Sequence, residues 1–138
     1  AEDLKKEKPK YFSILQEFNV PFREFDEQNE TYAEAPLIQC SSKGVIESFR
    51  FSNQLMQMIN PFTEGIREFY EAYHDLSRRV HDQKYRSTFR LNRGEALVVA
   101  SLRVLHARES FIPNGARHLQ DAYFFYDNAA NNLFLLSN

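Results

Sequence analysis

The stretch that decides the fold is residues 91–126, which read LNRGEALVVASLRVLHARESFIPNGARHLQDAYFFY. Two runs within it, residues 95–108 and 117–126, are rich in the β-branched and aromatic residues that are typical of strands. The loop between them contains Pro113, Asn114 and Gly115, residue types that interrupt regular structure. The stretch therefore predicts two neighbouring strands joined by a loop.

Each predicted strand carries one side chain that suits a binding site. His106 lies near the end of the first run, and Arg117 lies near the start of the second, eleven residues later. A neutral imidazole can ligate a transition metal, and a guanidinium can bind a carboxylate through two parallel hydrogen bonds. The pair could hold a metal and an acidic cosubstrate, and spacing alone leaves ordinary capping or surface roles open as the alternative.

The sequence around this pair resembles a known family. RVLHAR is followed by ESF, then by GARHLQ and by Ala122-Tyr123, while FYEAYHDLSRRV, STFRL and Arg93-Gly94-Glu95 come earlier in the chain. In this order the motifs resemble the C-terminal half of the catalytic domain of the γ-butyrobetaine and trimethyllysine hydroxylases. These enzymes are Fe(II)- and 2-oxoglutarate-dependent oxygenases with a double-stranded β-helix fold. The resemblance covers essentially the whole chain.

The resemblance implies a role for three residues. His106 matches the distal histidine of the family's iron site, and Arg117 matches the arginine that binds the far carboxylate of 2-oxoglutarate. Tyr123 matches a tyrosine near the trimethylammonium group of the substrate, where an aromatic face attracts a cation by roughly 0.5–2 kcal/mol. Because strand side chains alternate, Tyr123 and Arg117 should share one strand face. The alternative for Tyr123 is a core tyrosine with a satisfied hydroxyl.

Several family features are absent or changed here. The family's other two iron ligands form a His-x-Asp motif, which this sequence lacks. Since such enzymes hold iron by two histidines and one carboxylate, we expect the chain by itself to be inactive. Ala100-Ser101 replaces the family's Asp-Asn pair, and Asp121 replaces a glycine on the predicted Arg117 face. If Asp121 pairs with Arg117, Asp121→Gly should strengthen 2-oxoglutarate binding.

Composition excludes several classes of function. The formal net charge of −2 provides no basic field for nucleic acid. No apolar run approaches the roughly 20 residues of a membrane helix, and charges from Glu2 onward are unlike a secretory signal. The single Cys40 rules out an internal disulfide and a multi-cysteine zinc site. We expect the cytoplasm, with the mitochondrion as the alternative compartment.

Periodicity and turn residues predict the other elements. Helices are predicted at residues 2–8, 11–18 and 63–80, and the last has an aromatic stripe expected to lie on the sheet. Strands are predicted at residues 22–25, 37–41, 45–51, 86–91 and 95–101, with turns at Ser42-Lys43-Gly44 and Asn92-Arg93-Gly94. Residues 27–34 and 53–60 are predicted as irregular links, and residues 128–136 as a closing helix or turn. His74 and His81 lie seven residues apart, too far along a helix to share one metal.

These observations predict one α+β domain over residues 1–138. It should be mostly antiparallel β, a partial double-stranded β-helix or jelly roll with one long packed helix and short N-terminal helices. The expected function is the C-terminal part of an Fe(II)/2-oxoglutarate dioxygenase that hydroxylates a small trimethylammonium substrate in carnitine biosynthesis. The alternative is a non-catalytic binding module that retains the half-fold. Unpaired strand edges and an exposed apolar face favour a homodimer or association with the missing N-terminal half.

Overall fold

The computed structural model describes residues 1–25, 29–110, 112, 115 and 118–124. The chain divides into two compact units, Ala1–Ala107 and Arg108–Asn138. All the helices and strands of the described residues lie in the first unit. The predicted closing element at residues 128–136 lies outside the described residues.

Two short helices open the chain, as the sequence predicts. α1 spans Glu2–Glu7 and α2 spans Pro9–Glu17. Pro9 occupies the first turn of α2, where a missing N–H breaks no intrahelical hydrogen bond. Leu4 of α1 and Phe12 and Leu15 of α2 are buried in one apolar core.

The first hairpin corrects the sequence prediction. β1 (Val20–Phe25) pairs antiparallel with β2 (Glu30–Ala35), in a register that runs from Val20 opposite Ala35 to Phe25 opposite Glu30. The prediction of an irregular link at residues 27–34 is therefore wrong from Glu30 onward. The segment is polar because β2 is exposed up to Glu34, and pairing with β1 outweighs its weak strand propensity.

The second hairpin confirms the predicted turn. β3 (Ile38–Cys40) pairs antiparallel with β4 (Ile46–Phe49). Ser41 N–H donates to the Val45 carbonyl at 2.8 Å, and Gly44 N–H donates to the Ser41 carbonyl at 2.9 Å. Gly44 has a φ of +72°, a left-handed conformation that favours glycine.

The long helix α3 spans Ile66–His81 and begins three residues later than the predicted residue 63. Gly65 has a φ of +76°, which a right-handed helix cannot include. Phe69 is fully buried and stacks on Phe18 with ring centroids 4.5 Å apart. The aromatic stripe is confirmed, but it packs mainly against α2 rather than against a sheet.

A buried carboxylate joins α3 to the N-terminal helices. Asp75 accepts hydrogen bonds from Lys8 Nζ, from Arg79 Nε at 2.8 Å and from Arg78 Nη2 at 3.1 Å. Arg79 also pairs with Glu7 at 2.8 Å. Burial alone would raise the pKa of Asp75, but the hydrogen bonds from Lys8 and Arg79 outweigh it, and the pKa lies below its usual range.

Residues 86–110 contain no helix or strand, so the strands predicted at residues 86–91, 95–101 and 95–108 are wrong for this structure. The turn within them is confirmed, because Glu95 N–H donates to the Asn92 carbonyl and Gly94 has a φ of +85°. β-rich composition does not make a strand without a neighbouring strand to complete its hydrogen bonds.

The described residues therefore form an α+β fold with two short antiparallel sheets, each of two strands. The helices contain more residues than the strands, whereas the sequence predicts mostly β structure. The jelly-roll arrangement stays a prediction.

Candidate functional site

His106 lies in an irregular segment at the end of the Ala1–Ala107 unit, not on the predicted strand. Its side chain is exposed. The segment before it forms a single turn, in which Arg103 N–H and Val104 N–H both donate to the Ala100 carbonyl, at 2.8 and 3.1 Å. This turn replaces the extended backbone that the sequence predicts there.

Two hydrogen bonds join this turn to β4. Phe49 N–H donates to the Leu102 carbonyl at 2.8 Å. Arg103 Nη1 donates to the Ile46 carbonyl at 3.0 Å. The segment that leads to His106 is thus attached to the β3–β4 hairpin.

The other two predicted site residues belong to the Arg108–Asn138 unit. Arg117 lies outside the described residues. Tyr123 is described and is 79% exposed, so the alternative of a buried core tyrosine is wrong for this structure. Residues 118–124 form no strand, so the predicted alternation that places Asp121 and Tyr123 on the Arg117 face has no strand to support it.

An iron site of two histidines and one carboxylate needs three ligands close together. Within the ranges that the structure describes, no group of three His, Cys, Asp or Glu side chains could hold a metal ion. His106 supplies one imidazole from these ranges. The described residues therefore do not fit a complete iron centre by themselves.

The histidines of α3 are surface residues. His74 and His81 are both exposed. His81 Nδ1 lies 2.7 Å from the Ser77 carbonyl, one helical turn earlier, to which the ring N–H can donate. His81 is therefore a helix-end residue whose ring N–H can satisfy a carbonyl of the last turn of α3.

The structure contains an open groove of about 930 Å³ that the sequence did not reveal. Its floor is one face of the β1–β2 hairpin, with Arg23 paired to Glu30 at 2.9 Å. Tyr32 donates a 2.7 Å hydrogen bond to Glu34, which raises the pKa of Tyr32. Further lining carboxylates come from Glu17 and Glu64. Among the described residues that line the groove, four carboxylates stand beside one arginine, so this part of the lining is net negative.

The sequence does not predict the groove, because residues 27–34, which include β2, are predicted as an irregular link. The alternation of Glu30, Tyr32 and Glu34 with Thr31, Ala33 and Ala35 has the strand period of two. This alternation is the sequence pattern that indicates strand β2.

A family model described as taurine catabolism dioxygenase TauD, TfdA family matches residues 1–123. The chain belongs to this family. The match includes His106, Arg117 and Tyr123, and it confirms the dioxygenase family that the sequence motifs indicate.

The relatives that the chain resembles have dioxygenase names. The chain is 30% identical over 137 residues to the γ-butyrobetaine dioxygenase of Pseudomonas sp. (strain AK-1), covering 99% of this chain and 36% of that protein. It is 26% identical over 142 residues to the Homo sapiens γ-butyrobetaine dioxygenase, covering 99% of this chain and 37% of that protein. Dioxygenase str8 of Strobilurus tenacellus is 27% identical over 111 residues, covering 80% of this chain and 26% of that protein.

The chain spans little more than a third of the length of the γ-butyrobetaine dioxygenases it matches. Among the residues that the structure describes, no helix is long and apolar enough to cross a membrane.

Proposed function

We propose that residues 1–138 form part of the single catalytic domain of an Fe(II)- and 2-oxoglutarate-dependent dioxygenase. Its substrate would be a small trimethylammonium compound of the γ-butyrobetaine kind, as in carnitine biosynthesis. The observation that carries the proposal is the 30% identity to the Pseudomonas γ-butyrobetaine dioxygenase over 99% of this chain. The motif RVLHAR and the residues after it lie within the matched range.

Three residues have roles in this proposal. His106 provides one imidazole for iron, and its exposed side chain leaves the ring nitrogens accessible. Arg117 binds the far carboxylate of 2-oxoglutarate through its planar fork of donors. Tyr123, which is 79% exposed, offers a ring face to the trimethylammonium cation.

At least one of the remaining iron ligands must come from outside the described residues, because these contain no three-ligand group. Strands that complete a jelly roll around residues 86–110 would likewise come from outside the described residues. We therefore expect the isolated chain to be inactive. Tight binding of one equivalent of iron together with turnover of 2-oxoglutarate by the isolated chain would contradict this expectation.

A second candidate is a non-catalytic binding module. The observation that favours it is the same lack of a three-ligand group in the described part of the chain. A His-x-Asp segment encoded in frame with residues 1–138 would favour the enzyme, since it would supply the two missing ligands.

The test is succinate release by the complete product of the reading frame that contains residues 1–138, supplied with Fe(II), 2-oxoglutarate and γ-butyrobetaine. We expect substrate-dependent succinate release, reduced by roughly 100-fold or more in His106→Ala because an iron ligand is lost. The matched control is His118→Ala, which removes another exposed imidazole and should retain activity. Absence of succinate, or an equal loss in both variants, would reject the dioxygenase proposal.

A further inference from the structure

We propose that Arg103 is a positioning residue that attaches the His106 segment to the free edge of β4 and so fixes where His106 lies relative to the β3–β4 hairpin. The functional meaning of this attachment rests on the proposed function, in which His106 ligates iron. The geometry itself stands on contacts within the Ala1–Ala107 unit.

The hydrogen bonds of Phe49 and Arg50 show which edge of β4 the turn before His106 contacts. Arg50 N–H donates to the Leu37 carbonyl at 2.7 Å, which places that N–H on the β3 side. Successive N–H groups of an extended chain point in opposite directions, so Phe49 N–H points away from β3. The acceptor of that N–H is the Leu102 carbonyl. The turn that precedes His106 therefore lies along the β4 edge that β3 leaves open.

A second hydrogen bond attaches the same turn to β4. Arg103 Nη1 donates to the Ile46 carbonyl at 3.0 Å, three residues before Phe49 along β4. A guanidinium donor makes a stronger hydrogen bond than a neutral one. A single hydrogen bond would leave the segment free to pivot, whereas two separated bonds fix both its place and its direction.

The backbone N–H groups of the turn explain why a side chain makes the second attachment to β4. Arg103 N–H and Val104 N–H are both used within the turn, because they donate to the Ala100 carbonyl. The turn therefore cannot use these two groups to continue a regular ladder with β4. The Arg103 side chain makes the second attachment in place of the backbone.

The attachment restricts where His106 can lie, because Arg103 is close to His106 in the chain. His106 lies three positions after Arg103 in the chain, a span of at most about 11 Å even when fully extended. His106 is thus restricted to a small region beside the β4 edge as long as both bonds hold. Loss of the Arg103 bond leaves one pivot at Leu102.

The experiment measures the position of His106 with Cu²⁺ as a paramagnetic probe in NMR spectra of the 138-residue chain. The chain has four histidines, so His74, His81 and His118 are each replaced by Gln in a parent variant that retains His106 alone. Substoichiometric Cu²⁺ should then broaden the backbone amide signals of Ile46 and Phe49 as well as those beside His106. His106→Ala in this parent should remove the broadening.

Arg103→Ala in the same parent should remove the broadening at Ile46, while that beside His106 and that at Phe49, whose N–H still donates to Leu102, remain. Arg103→Lys, which keeps a cationic donor, should restore at least part of it. The matched control is Arg93→Ala, another exposed arginine of the same region, which should leave the β4 signals broadened. Unchanged signals of the β1–β2 hairpin verify that each variant is folded.

Persistent broadening of the Ile46 amide in Arg103→Ala would overturn the proposal, as would the absence of that broadening in the parent or its loss in Arg93→Ala. None of these measurements involves iron, 2-oxoglutarate or succinate. A failure of the dioxygenase proposal is thus visible in the succinate assay alone, and a failure of the Arg103 proposal in the copper experiment alone.

Discussion

At the scale of single residues, Asp75 is the side chain whose removal should cost the most among the charged groups described. Its side chain is 7% exposed, and it joins Lys8, Arg78 and Arg79. Asp75→Asn keeps the shape but leaves these cations without their carboxylate. Breaking a buried pair costs about 3–5 kcal/mol, and since Lys8 is half-exposed and Arg78 largely exposed we expect a loss of about 2–3 kcal/mol in the free energy of unfolding.

Urea denaturation of wild type and Asp75→Asn measures this difference. The matched control is Arg67→Ala, which removes the exposed Arg67–Glu71 pair of the same helix, 3.4 Å apart. That control should change the free energy of unfolding by less than about 0.5 kcal/mol. Equal effects of the two variants would contradict a special role for Asp75.

The same carboxylate should make stability depend on pH. The pKa of Asp75 is held below its ordinary value of 3.8, because the hydrogen bonds from Lys8 and Arg79 outweigh the opposing effect of burial. The folded state thus releases the proton at lower pH than the unfolded state does. The stabilisation is fully present above the ordinary carboxyl pKa and is lost as the pH falls through the lowered one. In an acid titration of the free energy of unfolding, the difference between wild type and Asp75→Asn should shrink as the pH drops below 3.8. A constant difference would contradict the assignment.

At the scale of elements, Phe69 is the contact that holds α3 in place. It is fully buried, and its ring stacks on Phe18 of the α2–β1 link and on Tyr73 of α3. Phe69→Ala should lower the free energy of unfolding by about 3–5 kcal/mol, because it leaves a cavity between α2 and α3. Thermal unfolding followed by circular dichroism measures the loss. The exposed neighbour Glu68 provides the control, since Glu68→Ala should stay within about 0.5 kcal/mol.

Elements whose cause is local were predictable from the sequence. The α3 stripe and the β3–β4 turn at Gly44 each depend on residues close together in the chain. β2 was missed because its stability comes from pairing with β1 rather than from its own polar composition. The segment 86–110 was predicted as strand because composition cannot state whether a partner strand is present.

The candidate site was predictable in part for the same reason. A motif identifies His106 as one candidate ligand, and the family match confirms the class of protein. The attachment of Leu102 and Arg103 to β4 joins residues more than 50 positions apart, and no local pattern predicts it. The groove at the β1–β2 face escaped because its floor depends on the missed strand.

At the scale of the whole molecule, the decisive feature of the Ala1–Ala107 unit is apolar surface. Seven apolar side chains between residues 89 and 104 are at least 37% exposed: Phe89, Leu91, Leu97, Val98, Val99, Leu102 and Val104. Soluble monomers rarely expose such a concentration of apolar groups without a partner. The matched γ-butyrobetaine dioxygenases are nearly three times as long as this chain. This surface could therefore be covered either by additional residues like those of the longer relatives or by a second copy of the chain.

We therefore expect the isolated chain to self-associate through residues 89–104, with the apolar surface of one copy covered by the other. Val98 is 93% exposed, so Val98→Asp should cost little folding stability but should shift the chain toward monomer, because a charge would be buried in the interface. Sedimentation velocity over a concentration series measures the shift. The matched control is Met58→Asp, since Met58 is 91% exposed but lines the groove at the β1–β2 hairpin, so this change should leave association unchanged. A wild-type chain that stays monomeric at every concentration, or an equal response of the two variants, would contradict the expectation, because the apolar run would then have no part in association.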